Sequence, residues 1–278
     1  MKFLYALAVA GVLAASSAPP VVPDGAPQFK SGPYSLVLTK IDVQSSIDYA
    51  QPAKTRHQIE ISATMITPEK EDAVAVGKHL VVLSATNAAG EELLKPSKNM
   101  ASRTYKPDTF SPVHVKNLAA EVGVDRLDLT APATGIKTMK VATQIVLAKS
   151  RQTKRLAAVV MEEMTEAAPG LAVRIANLRM SAKRELEVTI EYQRGRAGAG
   201  FPFIEAVYAL DAEGQSLGGG RWTEGDVLGL KGKFTARFPI ASDEAHKTLK
   251  IVAVTEDQVA PVEFELTDIF LAARATRP

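Results

Sequence analysis

Few residues in this chain have types and spacing that suit chemistry. Residues 243–246 read Asp-Glu-Ala-His, a tetrapeptide that holds a metal ion in nucleotide-hydrolysing enzymes. Such enzymes also need a phosphate-binding loop of the form GxxxxGK[ST]. The chain contains no such loop, and the Gly-Lys-Phe at 232–234 lacks the hydroxyl side chain that would hold magnesium. We therefore interpret residues 243–246 as a polar turn that precedes a strand.

The remaining candidate groups do not form a catalytic or metal-binding pattern. No two histidines have ligand spacing such as HxH or HExxH, and no GxSxG nucleophile motif occurs. His57 and His79 fall on predicted strands that can be neighbours, which leaves a two-histidine site open beside the simpler surface interpretation. Glu162 and Glu163 are adjacent on a predicted strand and would point to opposite faces. We predict no catalytic residue, no metal and no cofactor. The four histidines are His57, His79, His114 and His246.

The N-terminus has the layout of a secretory signal peptide. Lys2 is followed by an apolar stretch from Phe3 to Ala15 and then by small residues. The Pro-rich segment 18–27 would break a helix at this point. We predict a signal peptide at residues 1–17 and export to the bacterial periplasm or the extracellular space.

Composition excludes several other classes. The chain of 278 residues has no cysteine, which excludes thiol chemistry, disulfides and a lipid anchor on an N-terminal cysteine. Its net charge of +2 does not supply the basic field that nucleic-acid binding requires. No later apolar run approaches the roughly 18 residues that a membrane span needs. We expect neither a nucleic-acid partner nor a membrane span after signal removal.

An alternating segment occurs once in each half of the chain, at residues 56–65 and 184–193. A period of two places every second side chain on one face, which is typical of a half-buried strand. The predicted inward-facing residues are Ile59, Ile61 and Ala63 in the first copy and Leu186, Val188 and Ile190 in the second.

A turn phrase also recurs, as ATNAAGEEL at 85–93 and ALDAEGQSL at 209–217. Asn87 and Asp211 favour the start of a turn, and Gly90 and Gly214 tolerate the positive φ that such turns use. We predict a β-hairpin at both places.

The third repeat is at 137–147 and 247–256. Each copy is followed by a polar segment and by a second alternating run, at 155–164 and 262–270. This pattern predicts a hairpin that closes each half of the chain. Because all three matches keep the same order, we interpret the chain as one domain used twice.

The fold class that these patterns indicate is all-β. Each half has several short predicted strands and little helical periodicity, which favours two sheets packed face to face. The architecture resembles two tandem immunoglobulin-like or fibronectin-III-like antiparallel β-sandwich domains after a cleaved signal peptide. The predicted divisions are a signal peptide at 1–17, a Pro-rich linker at 18–32, a first domain at 33–165 and a second domain at 166–278.

Two surface features are candidates for partner binding. Trp222 is the single tryptophan and lies among glycines beside Arg221, where it would either anchor a partner or fold back onto the sandwich. A basic cluster is predicted at the last turn of the first half, and Glu256 and Asp257 occupy the equivalent place in the second half. Such a cluster would dock an acidic partner or the acidic tip of a neighbouring molecule, or would simply be solvated. The basic residues are Lys149, Arg151, Lys154 and Arg155.

The pattern favours an exported, non-catalytic binding or scaffolding protein that recognises an unknown cell-envelope protein or glycan through its loops. One alternative is a carbohydrate-binding module, in which Trp222 would act with Tyr192, Phe201 and Phe203 if the four rings lined one exposed face. A further alternative is a periplasmic chaperone-like protein that adds a client strand to a sheet edge. An enzyme of unfamiliar type also stays open.

Overall fold

The structure is a computed structural model that describes residues 23–46, 50, 56–94, 110–113, 118–131, 135–180, 185–195, 202–211, 213–220, 230–239 and 248–270. These residues form antiparallel β-sheets with one 3₁₀ turn at Glu69–Glu71, so the all-β prediction is confirmed. In chain order the strands are β1 (Gln28–Ser31), β2 (Tyr34–Ser46), β3 (Arg56–Ile66), β4 (Ala73–Gly77), β5 (Val81–Thr86), β6 (Phe110–Pro112), β7 (Ala119–Leu129), β8 (Gly135–Ala157), β9 (Thr165–Ala168), β10 (Leu171–Met180), β11 (Glu185–Arg194), β12 (Phe203–Leu210), β13 (Ser216–Gly220), β14 (Lys231–Pro239) and β15 (Thr248–Phe270).

The strands form two four-stranded outer sheets and one shared sheet. The first outer sheet has the order β1-β2-β3-β7, and the second has the order β9-β10-β11-β14. The two orders correspond strand for strand. In each sheet a short edge strand and the next two strands of the sequence pair in order, and a strand from later in the chain completes the sheet. The shared sheet has the order β13-β12-β15-β8-β4-β6, and β5 also pairs with β8.

Two strands of 23 residues each, β8 and β15, run through the centre of the shared sheet. They pair antiparallel along their whole length, from Thr248 opposite Ala157 to Phe270 opposite Gly135. The two hairpins predicted to close the halves of the chain are therefore wrong. The polar segments that suggested turns lie inside continuous strands, where a local irregularity between Val254 and Asp257 shifts the register instead of reversing the chain.

Each long strand contributes to both hydrophobic cores. The first core lies between the first outer sheet and the shared sheet, and it takes Met139 and Ile145 from β8 and Phe264 from β15. The second core lies against the second outer sheet, and it takes Leu156 from β8 and Ile251 from β15. Each strand thus begins in the core of its own half and continues into the core of the other half.

The pairing of β8 with β15 repeats itself under the same offset that relates the two halves. Met139 is opposite Leu266, and Leu249 is opposite Leu156. Leu249 lies 110 residues after Met139, and Leu266 lies 110 residues after Leu156. The two halves of the chain are therefore related by an approximate twofold arrangement at the middle of this strand pair.

The two predicted turns are confirmed and have the same hydrogen bonds. The Gly90 amide donates to the Asn87 carbonyl at 3.0 Å, and the Gly214 amide donates to the Asp211 carbonyl at 3.2 Å. Side-chain oxygens of Asn87 and Asp211 also accept a backbone amide four residues later. Both glycines have φ of +80°, a conformation that a side chain would strain.

The predicted alternation is confirmed as well. All six inward-facing residues of β3 and β11 are buried. Glu60 and Ser62 between them are exposed, whereas Glu187 on β11 is buried among the outward residues. The six buried residues are Ile59, Ile61, Ala63, Leu186, Val188 and Ile190.

The segment between the two halves differs from the prediction. Strand β8 ends at Ala157, and Glu162 and Glu163 lie in bends, not on a strand. The segment that was expected to interrupt the strand pattern forms β9 and a tight turn at Gly170, whose φ is +78°. The chain therefore changes direction at the bends of Glu162 and Glu163, just before β9 and not within the segment that was expected to turn. The domain limits at 165 and 166 stay a prediction.

Candidate functional site

Arg151 of β8 lies where the two halves of the molecule meet. Its guanidinium donates two hydrogen bonds to the Asp72 carboxylate, at 2.6 and 2.7 Å, and it also donates to Glu205. Asp72 follows the 3₁₀ turn before β4, and Glu205 lies on β12. One side chain therefore connects segments from both halves. We call the group of Arg151, Asp72 and Glu205 the Arg151 clamp.

The two carboxylates of the Arg151 clamp differ in their exposure to solvent. The Glu205 side chain is 8% exposed, whereas that of Asp72 is 47% exposed. Hydrogen bonds to Asp72 and then to Glu205 raise the pKa of Arg151 above its ordinary value. A planar guanidinium suits such a fork because it pairs with carboxylates bidentately. The Arg151 clamp is thus an ion-pair network that is buried on the Glu205 side.

The predicted basic cluster does not lie at a turn. Lys149 sits where the register of β8 shifts, and Arg151 and Arg155 project from one face of the strand while Lys154 projects from the other. Arg151 is engaged in its clamp, whereas Lys149 and Arg155 are exposed. Glu256, expected at the equivalent tip of the second half, instead lies on β15 opposite Ser150 of β8.

Two residues that the sequence analysis missed lie beside Arg155. Lys250 is opposite Arg155 in the register, and Tyr208 is opposite Lys250. The Lys250 ammonium lies 4.7 Å from the centre of the Tyr208 ring, a cation–π contact. The signal that would have found them is the strand register, because the three residues are distant in sequence.

The predicted aromatic site is divided. Trp222, Arg221 and Phe201 lie outside the described residues. Phe203 and Tyr192 are 2% and 6% exposed and belong to the second core. These two rings therefore offer no face to a sugar, and the carbohydrate-binding alternative depends on Trp222 and Phe201 alone.

A polar pocket of about 410 Å³ lies on the first outer sheet. The segment from Lys78 to Leu80 docks along β7, where the Leu80 amide donates to the Gly123 carbonyl at 2.7 Å and the Gly123 amide donates to the Lys78 carbonyl at 2.9 Å. The pocket lining includes Glu60, Glu121, Lys78 and His79. A lysine, a histidine and two carboxylates therefore line this pocket together, so no single sign of charge is its only feature.

The histidines that are described do not form a metal site together. His57 is buried, and its Nδ1 lies 2.9 Å from Ser45 Oγ. It pairs with Leu129 at one end of β7, whereas His79 bridges to Gly123, six residues away along that strand. Six residues of strand span about 20 Å, too far for one ion. Within the described ranges, no three metal-ligating side chains are grouped.

The outer face of the second outer sheet carries rows of paired charges. Glu187 is flanked by Arg179 on β10 and Arg237 on β14, with Arg237 Nε at 3.1 Å. Hydrogen bonding from Arg179 is the main cause that lowers the pKa of the Glu187 carboxyl. In the next such row, Arg174 donates to Glu191 at 2.8 Å. In these rows each glutamate is paired with at least one arginine, so the charges on this face are balanced within the face.

No protein-family model matches the chain, and no curated protein matches it. Among solved structures, the chain is similar to the infectious bursal disease virus VP2 subviral particle, with a TM-score of 0.19 and 12% identity over 91% of this chain and 75% of that chain. It is also similar to the infectious bursal disease virus Gx strain, with a TM-score of 0.17 and 10% identity over 92% of this chain and 75% of that chain. Similarities of this size carry no argument. The described part of the chain contains no helix suited to crossing a membrane.

Proposed function

We propose that the chain is an exported, non-catalytic binding or scaffolding protein that recognises a protein of the cell envelope. In this proposal residues 1–17 are a cleaved signal peptide, and two immunoglobulin-like sandwiches follow in tandem with β8 and β15 in common. The observation that carries the proposal is the continuous pairing of β8 with β15 through both cores. A framework of this kind holds surface side chains from both halves in fixed relation, which suits recognition.

The binding residues we propose are the basic residues of β8 together with Arg221 and Trp222. Lys149 and Arg155 are exposed on β8, and Arg221 and Trp222 directly follow β13 in the sequence. Arginine and tryptophan are frequent anchors of protein interfaces because they give large contact areas and several hydrogen bonds. Lys154 joins the set from the opposite face of β8, and Arg151 supports it through its clamp.

A capture experiment tests the proposal. Residues 18–278 are immobilised and exposed to cell-envelope extract from the source organism, alongside a variant with Trp222→Ala, Lys149→Ser and Arg155→Ser. Arg151 is left intact so that the Arg151 clamp persists. A control variant, Lys231→Ser with Lys233→Ser, removes two exposed charges of β14 on a separate outer face.

We expect one protein to be captured by the wild type and by the β14 control but lost by the triple variant. Equal capture by all three baits would contradict the proposed residues. Capture of nothing by the wild type, or turnover of an extract component by the isolated protein, would contradict a non-catalytic binding function.

A further inference from the structure

Arg155, Lys250 and Tyr208 form a row across three neighbouring strands of the shared sheet. Lys250 on β15 is opposite Arg155 on β8 and opposite Tyr208 on β12. Residues directly opposite each other in antiparallel strands project from the same face. With strands about 4.8 Å apart, the row places two cations and one aromatic ring within roughly 10 Å. We call it the basic row.

Neither cation of the basic row is neutralised by a described carboxylate. Among the described residues, every ion pair that involves β8 or β15 uses other side chains. Lys250 contacts the face of Tyr208, and Arg155 is exposed. The guanidinium of Arg155 reaches the turn at Gly214, where an added Cβ would lie 3.7 Å from its Nη1 atom.

The other half of the molecule supplies an internal comparison. Lys140 is opposite Glu265 and opposite Ser84, and these three positions correspond to Lys250, Arg155 and Tyr208 under the offsets of 110 and 124 residues that relate the two halves. Lys140 forms an ion pair with Glu265 at 3.8 Å. The row in the first half is thus neutral and has no aromatic ring.

The two rows differ at the two positions that flank the central lysine. Where the first half has glutamate and serine, the second half has arginine and tyrosine, while the central lysine is retained. Two neighbouring cations without an ion-pair partner among the described residues cost electrostatic repulsion in the free protein. A bound carboxylate would offset this cost, because arginine pairs with carboxylates in a bidentate manner.

The surroundings of the basic row favour a short ligand over a polyanion. Asp211 and Glu213 line the same pocket as Arg155, so negative charge borders the row on that side. Binding of nucleic acid or a sulfated polysaccharide depends on many cations along an extended surface. A short acidic segment, of which the basic row contacts one or two carboxylates, fits between these limits.

We propose that the basic row binds the carboxylates of a short acidic peptide segment on the partner protein. This inference rests on the proposed function and names the chemistry of its partner. Arg155 and Lys250 bind the carboxylates, and Tyr208 packs against the adjacent apolar part of the segment.

Fluorescence anisotropy with a labelled hexaglutamate peptide tests the inference, with hexaglutamine as the uncharged control peptide. The first variant, R155E/Y208S, gives the basic row the residues of the first half. The matched variant, S84Y/E265R, gives the first half the residues of the basic row. Circular dichroism and thermal unfolding establish that each variant folds as the wild type does.

We expect wild type to bind hexaglutamate more tightly than hexaglutamine. We expect R155E/Y208S to bind hexaglutamate about tenfold more weakly or worse, because the variant loses the charge attraction of the arginine and its bidentate pairing with a carboxylate. The S84Y/E265R variant should bind two peptides where wild type binds one. Added salt should weaken binding in each case.

Hexaglutamate binding that R155E/Y208S leaves unchanged would overturn the inference, as would the absence of hexaglutamate binding by wild type at low salt. A heparin hexasaccharide that binds the basic row more tightly than hexaglutamate would overturn the peptide class. Capture of the same envelope protein by wild type and R155E/Y208S would contradict this inference and leave the proposed function intact. Capture of nothing by wild type would contradict the proposed function itself.

Discussion

Gly123 shows how one residue fixes the contact of three chain segments. It lies on β7 opposite Ser62 of β3, and its backbone also bonds to Lys78 and Leu80. A Cβ at this position would lie 2.7 Å from the Ile61 carbonyl oxygen, closer than carbon and oxygen approach without displacement. Glycine therefore permits the close approach that also shapes the polar pocket on the first outer sheet.

Gly123→Ala should lower the free energy of unfolding by roughly 1–3 kcal/mol, because the clash is with backbone atoms that lack freedom to move aside. Urea denaturation measures this change. Gly195→Ala is the matched control, since its Cβ would meet only the Gly170 carbonyl oxygen at 3.9 Å, and we expect it to change stability by less than about 0.5 kcal/mol. An equal effect of both substitutions would contradict the account of Gly123.

Glu187 gives a pH-dependent contribution to stability. Its lowered pKa means that the folded state binds the proton more weakly than the unfolded state. The stabilisation is present at pH values above the unfolded pKa and is lost as the pH falls through the folded pKa. Because Arg179 and Arg237 are 67% and 45% exposed, we expect its size to be about 1 kcal/mol at most.

Comparison of wild type with Glu187→Gln by urea denaturation between pH 3 and pH 7 tests this contribution. The difference in unfolding free energy should be constant near neutral pH. It should shrink as the pH falls below the unfolded pKa of about 4.3 and should vanish below the folded pKa, where Glu187 is protonated in both the folded and the unfolded protein. A difference that grows as the pH falls would contradict the ion-pair explanation.

At the scale of elements, the Arg151 clamp joins β8 to β12 and to the turn before β4. Removal of the arginine takes away the guanidinium partner of Glu205, whose side chain is almost fully buried, while Asp72 stays accessible to water. Loss of a charge partner in a buried position costs several times more than loss at the surface. The two arms of the clamp should therefore contribute unequally.

We expect Arg151→Met to lower the unfolding free energy by about 3 kcal/mol and Asp72→Asn to lower it by less than about 1 kcal/mol. Asparagine is the suitable substitution at position 72 because Asp72 has φ of +50°, which asparagine tolerates. A double-mutant cycle with Glu205→Gln should give a coupling energy above about 0.5 kcal/mol. Additive effects of Arg151→Met and Glu205→Gln would show that the clamp contributes nothing as a pair.

The elements that depend on local sequence were the predictable ones. The Asn87 and Asp211 turns follow from a side chain that accepts a nearby amide and from a glycine with positive φ. The buried face of β3 follows from its alternation. Both signals act over a few residues and need no knowledge of distant strands.

The long strands were not predictable by the same means. Residues 149–155 are polar and resemble a turn, although they contain neither glycine nor proline. The absence of both residue types favoured a continuous strand over a turn. The polarity of the segment is explained by groups far away in sequence, since Arg151 binds Asp72 and Glu205 and Arg155 lies beside Lys250. For the same reason the basic row could not be assembled from sequence, whereas Arg155 alone was a candidate.

At the scale of the whole molecule, the shared sheet links the stability of the two cores. Half of each long strand packs in one core and half in the other. Unfolding of one core would expose the apolar residues of two strands that the other core also needs. We therefore expect the two halves to unfold together as one cooperative unit, unlike sandwiches joined only by a linker.

Phe238→Ala and Met65→Ala probe this linkage from opposite ends. Phe238 is fully buried in the second core and Met65 in the first, and each truncation should cost roughly 2–5 kcal/mol. Either substitution should lower the unfolding temperature of the whole molecule, because neither core persists without the strands it shares.

The most direct measurement is scanning calorimetry of residues 18–278 as wild type, Phe238→Ala and Met65→Ala. We predict one transition in each protein, with calorimetric and van't Hoff enthalpies equal, and a lower transition temperature in both variants. Two transitions, with one core unfolding at its wild-type temperature after the other is destabilised, would contradict the shared sheet as a single folding unit.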